Sequence, residues 1–167
     1  MDKQNIYMNI VYQIASFSQD ERTRVGAIIV EPDTGSIISS GYNDFPTSCF
    51  MKQVENKPER QERPHKYSFF THAEVMAISS AANKGVSLWG CHMYTNGIPC
   101  TNCTRTIIPS GIEKIFVDKH SRKFMGMNWL EEAKLSMQML DEVGIEVIEV
   151  DTRLIQPVRF VDGSVKE

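Results

Sequence analysis

Two short segments constrain this chain more than anything else in it. One is Thr71-His72-Ala73-Glu74 and the other is Pro99-Cys100-Thr101-Asn102-Cys103. Both fall at the starts of expected helices. Cys100 and Cys103, three residues apart on one helical turn, can point both sulfurs at one place. A helix start lowers a thiol pKa through its dipole and free N–H groups, and so favours the thiolate that a metal takes. Pro99 suits a first turn, where its missing N–H costs nothing. His72 supplies a third donor from a second helix start, so the two helix starts have to converge.

A His, Cys, Cys set suits zinc, which takes nitrogen and sulfur ligands in tetrahedral geometry. Three protein ligands leave a fourth position for water, as catalytic sites require, and zinc-held water ionises near pH ~7. Glu74, two residues after His72, is not needed as a ligand and is placed to move protons. His-x-Glu followed by Pro-Cys-x-x-Cys is the recurrent signature of zinc deaminases. Each piece alone has a plainer reading. Cys-x-x-Cys also serves structural zinc and redox chemistry, Thr71-x-x-Glu74 is a capping box, and a lone histidine is commonly structural. The joint occurrence, in order and at two helix starts, favours the catalytic reading.

The rest of the chain fits around these segments. Its 167 residues suffice for a single domain, 1–167, with a core over about 5–150 and an extension over 151–167. Ile6, Ile10, Ile14 and Phe17 predict an amphipathic helix over 2–18. Residues 25–30 read as a buried strand, and 36–40 as its return across the Pro32–Gly35 turn. Residues 42–70 read as a long polar loop. Then come a helix over 72–83, a strand over 91–95, a helix over 100–109, a strand over 112–117, a helix over 128–143 and a strand over 145–150. The later strand–helix–strand units imply α/β architecture, with parallel pairing and helices covering the sheet. Cys91 and His92 alternate along a strand and read as core and filler.

A net charge of −3, without a basic, aromatic-rich segment, speaks against a nucleic acid polymer as partner. No apolar run approaches the ~20 residues of a membrane span, and Met1 to Asn9 lacks the pattern of a signal peptide. These features point to a soluble, cytoplasmic protein with no membrane partner, whose four cysteines are reduced.

On several further stretches the chain resembles the deoxycytidylate (dCMP) deaminase family of the cytidine deaminase fold. They are Arg24 to Val30, Gly41 to Pro46, Lys66-Tyr67, His72 to Ile78, Met93 to Thr95, Pro99 to Cys103, Ile107 to Ile112 and Val143 to Ile145. The resemblance implies a three-layer α/β/α fold with a five-stranded mixed sheet, Zn2+ as cofactor, a mononucleotide substrate and a homo-oligomer, hexameric or smaller. It implies that Arg24 lies near the phosphate, that Asn43 contacts the sugar and that the Ala73 N–H faces the base. His120 takes the place of an aromatic that contacts substrate. Met76 stands where the family has Asn, and Asp44 where it has a Gly tied to nucleotide effectors. Some members carry a second zinc. Cys49 and His65 lie in the corresponding loop, but no cysteine near 18–24 completes such a site.

The expected reaction is hydrolysis of dCMP to dUMP and ammonia, with attack at C4 and Glu74 protonating N3 and then the amine. The alternatives are a mononucleotide deaminase for another amino-base (dAMP, dGMP or 5-substituted dCMP) and a zinc-stabilised nucleotide-binding module without catalysis.

Overall fold

The computed structural model describes residues 2–48, 52–121 and 127–152, and the backbone of 159–161 and 164–166. The elements are α1 (Lys3–Ala15), β1 (Gly26–Val30), β2 (Ile37–Tyr42), α2 (Pro58–Gln61), α3 (Lys66–Phe69), α4 (Ala73–Asn83), β3 (His92–Thr95), α5 (Thr101–Ile107), β4 (Lys114–Asp118), α6 (Met127–Glu142), β5 (Glu146–Val150), β6 (Arg159–Val161) and β7 (Ser164–Lys166). Five strands make one mixed sheet in the order β2-β1-β3-β4-β5. The β1–β2 and β1–β3 pairs are antiparallel. The β3–β4 and β4–β5 pairs, joined through α5 and α6, are parallel, as crossover connections demand.

Helices cover both faces, which is why β1 is an unbroken apolar run with all five residues buried. Period-two alternation divides the core. Ala27, Ile29, Met93, Ile115 and Val117 pack with residues of α4, α5 and α6. Ile28, Val30, Tyr94, Phe116 and Val150 pack against Tyr7, Met8 and Val11 of α1. Cys91 is buried in the first cluster, and the half-buried His92 ring lies 5.6 Å from the Phe116 ring, as core and filler should. Among the described residues no helix is long and apolar enough to cross a membrane.

Three expectations are corrected in detail. The stripe Ile6, Ile10, Ile14, Phe17 is only the edge of the buried face of α1, where Ile10 and Ile14 pack partly buried against the core. Tyr7, Met8, Val11 and Ala15 are buried, whereas Ile6 and Phe17 are 46% and 65% exposed. The buried face is centred on Tyr7, Met8 and Val11, next to the stripe that periodicity picks out. The long loop over 42–70 contains two short helices, α2 and α3. The third helix stops at Ile107, and a 3-10 turn carries Pro109 to Gly111, whose φ of 91° ends the segment in the left-handed region.

One close approach fixes where the site can form. A Cβ at Gly41 on β2 would lie 2.4 Å from the Ala73 carbonyl oxygen and 2.5 Å from the Ala77 nitrogen. Only glycine lets the first turn of α4, with His72 just before it, lie this tightly on the sheet.

Candidate active site

His72 and Cys100 occupy equivalent positions. Each is the extended residue immediately before a helix, His72 before α4 and Cys100 before α5. Neither helix has a side-chain cap. Thr71 instead bridges to Asp44 through paired backbone hydrogen bonds. The Thr71–Glu74 capping box does not form, which leaves Glu74 for other work. α5 follows the C-terminal end of β3, the end of a parallel sheet where ligands characteristically bind.

The donor atoms converge. His72 Nδ1 lies 3.4 Å from Cys100 Sγ and 3.3 Å from Cys103 Sγ. All three donors fall within 4.8 Å of one another, and no other group of three His, Cys, Asp or Glu side chains among the described residues is so arranged. Tetrahedral zinc, with bonds of about 2.3 Å to sulfur and about 2.0 Å to nitrogen, sets nitrogen and sulfur ligands roughly 3.5 Å apart. Both the distances and the chemistry of the donor set therefore fit zinc. Cys49 lies outside the described residues.

The electrostatics agree. The hydrogen bond from the Cys103 thiol, followed by contact with His72, draws Cys100 down to about 4. Cys103 moves the other way, because its proton is held in the hydrogen bond to Cys100 and because it is buried. The hydrogen bond with Cys100 raises His72 against the effect of burial. The Cys100 thiolate is thereby held ready for a cation.

Glu74 is 4% exposed and accepts a hydrogen bond from the Cys103 thiol at 3.4 Å. Burial raises its pKa, opposed by the charge of His72. A carboxyl beside a metal site with increased proton affinity is suited to carry a proton in both directions.

The remaining anticipated residues are held by partners of their own. Ala73, fully buried, opens α4 next to His72. Arg24 is half-buried, and its guanidinium donates to the Asp20 and Ser16 carbonyls. Asn43 is buried, with Nδ2 donating to Asp20 and the Thr23 carbonyl and Oδ1 accepting from the Val25 N–H. His120 meets Asp151 at 2.9 Å. Asp44 is buried, accepting from the Phe45 N–H and Gln19, and Met76 is half-buried on α4.

Sequence reading missed a hub. Asp20 is 1% exposed, and its carboxylate accepts from the Arg22 and Thr23 N–H groups, from Asn43 and from the Lys66 ammonium at 2.5 Å. It ties the loop carrying Arg24, the residue after β2 and the helix preceding His72 into one unit. A lone Asp in a turn carries no sequence signal for this, because Lys66 is 46 positions away. Removing one partner of a buried pair leaves the other charge uncompensated. Asp20→Ala should therefore lower the unfolding free energy by about 3–5 kcal/mol, measured by urea titration. A loss within about 1 kcal/mol, as for an exposed pair, would contradict this.

The arrangement defines a class: an α/β/α protein with two helix starts that supply a three-ligand metal centre and a buried carboxyl beside it. The family model for the cytidine and deoxycytidylate deaminase zinc-binding region matches residues 1–119. An uncharacterized deaminase of Aliivibrio fischeri is 33% identical over 134 residues, 80% of this chain and 84% of that protein. A probable deoxycytidylate deaminase of Drosophila melanogaster is 34% identical over 79% of this chain, which spans 64% of the fly protein. The crystal structure of dCMP deaminase from cyanophage S-TIM5, in complex with dCMP and dUMP, superposes with a TM-score of 0.64 at 24% identity, covering 87% of this chain and 94% of that one. The chain belongs to the cytidine and deoxycytidylate deaminase family.

Proposed function

We propose that this protein is a zinc-dependent hydrolase that converts dCMP to dUMP and ammonia. The observation that carries the reading is the convergence of His72, Cys100 and Cys103 with the buried Glu74 against Cys103. The named relatives supply the substrate: the fly protein is a probable deoxycytidylate deaminase, and the cyanophage enzyme binds dCMP and dUMP.

His72, Cys100 and Cys103 would hold the metal. When bound, zinc supplies the Lewis acidity that brings the ionisation of water toward neutral pH. Glu74 takes the proton that water gives up as its oxygen bonds to C4, and passes it to N3. The proton of the new C4 hydroxyl then reaches the amino group, Glu74 again relaying it, and the C4–N4 bond breaks to release ammonia. Arg24 serves the phosphate as a fixed cation at the rim. Asn43 keeps a lone pair of Oδ1 for a sugar hydroxyl beyond its bond from Val25. The Ala73 N–H, at a helix start, faces the base, and His120 completes the substrate contacts. A homo-oligomer, hexameric or smaller, belongs to the same reading. The exposed Phe17 and Leu135 are consistent with apolar contact between subunits.

Ammonia release across dCMP, 5-substituted dCMP, dAMP and dGMP tests the substrate. Release from dCMP well above the purine nucleotides is expected. Release from a purine alone would replace dCMP as the substrate, and release from none would leave a binding module.

A further inference from the structure

The inward face of α6 runs past the end of the core. Ala133, Ser136 and Leu140 are buried, and together with Trp129 they make a stripe at helical spacing. Trp129 is the outermost member, and its ring centroid lies 6.4 Å from the His72 imidazole. It nevertheless remains 37% exposed. A large planar apolar surface beside a metal ligand and facing inward is a feature that function has to explain.

Its position is fixed by α5, the helix that carries the cysteines. Glu132, three residues further along α6, accepts from the Thr101 N–H at 3.2 Å and from the Thr101 hydroxyl at 2.7 Å. One turn beyond, Ser136 and Thr104 share a buried hydrogen bond. The start of α6 is thereby clamped to the start of α5, and Trp129 is held beside His72.

We propose that Trp129 is a substrate-contacting residue, the aromatic wall on which the base of the nucleotide stacks while its reacting carbon faces His72, Cys100, Cys103 and Glu74. The inference rests on the nucleotide deaminase reading and deepens it. Every base offers a π face, so the contact serves affinity and orientation rather than proton chemistry.

The test uses the zinc-loaded protein. Trp129→Ala should raise KM for dCMP about tenfold or more, with kcat changed less than about threefold and zinc content equal to that of the wild type. Trp129→Phe, which keeps an aromatic face, should recover most of the affinity. The only other tryptophan, Trp89, is 86% exposed in the turn before β3. Trp89→Phe therefore leaves Trp129 as the sole tryptophan, read with excitation beyond the tyrosine absorption band. Its emission should shift on saturation with dUMP but not with deoxyribose 5-phosphate, which lacks the base. A Trp129→Ala KM within about twofold of wild type, or unmoved emission at saturating dUMP, overturns the proposal while dCMP turnover by the wild type upholds the functional reading. A wild-type protein that releases no ammonia from dCMP overturns both.

Discussion

Glu74→Gln should retain its zinc and lose about 10²–10⁴-fold in kcat, the usual contribution of a positioned general acid–base. The side chain accepts its hydrogen bond from the Cys103 thiol, and an isosteric amide preserves shape and leaves the donor set of His72, Cys100 and Cys103 intact. What it removes is the capacity to take and return a proton. A second consequence follows from burial. Desolvation raises the Glu74 pKa in the folded chain, so in the metal-free protein its ionisation opposes folding. The sign follows from linkage. Where the folded state holds a proton that the unfolded state has lost, stability falls as pH rises from the unfolded carboxyl pKa of about 4.3 toward the raised folded value. Metal-free Glu74→Gln lacks that loss, and should unfold at a higher temperature than metal-free wild type at pH 7, with the difference shrinking below about pH 4. Zinc content by metal analysis, ammonia release and thermal melts at several pH values check all three effects. Full turnover by Glu74→Gln would remove the carboxyl from the mechanism.

The fold and the centre of the site were legible in the sequence to very different depths. The strand and helix order came through because β1 and β4 carry short apolar runs and α4, α5 and α6 are followed within two residues by Gly85, Pro109 and Gly144. The convergence of His72, Cys100 and Cys103 came through because spacing within one turn and placement before a helix are local properties. Long-range relations did not. Asp20 finds Lys66 and Asn43 only after the chain has folded, and Trp129 reaches His72 only because Glu132 and Ser136 lock α6 to α5. Their residue types carry no pattern that distinguishes them from ordinary surface positions. The face of α1 was misjudged for a related reason. With Tyr7, Met8 and Val11 buried, Ile10 and Ile14 partly so and Ile6 exposed, the centre of the buried face is decided by the sheet surface that receives the helix, and a sequence does not display that surface.

Cys103→Ala should abolish both zinc binding and its stabilising effect. Cys100 precedes α5 while Cys103 lies within it, and His72 precedes α4, so a metal held by all three joins two helices that otherwise meet through packing. Ligand bound only to the folded state stabilises it by mass action, about 4 kcal/mol when free zinc exceeds its dissociation constant a thousandfold. Wild-type protein should therefore melt at a markedly higher temperature with zinc than after chelation. Cys103→Ala leaves two ligands, and losing a ligand should cost more than the 10–100-fold that follows loss of a supporting outer contact. Its melting temperature should be the same with and without zinc, and its ammonia release should vanish. Proton release distinguishes this from simple unfolding. The hydrogen bond to Cys100 and burial raise the pKa of Cys103, so Cys103 has to give up a proton to become a ligand, and zinc uptake by wild type at pH 7 must release it. Calorimetry in buffers of different ionisation enthalpy should record that release in wild type. Cys91→Ala, which removes a thiol buried in the core away from the donor group, should record the same release and bind one zinc per chain. Zinc uptake by Cys103→Ala with wild-type affinity would show that the metal centre lies elsewhere.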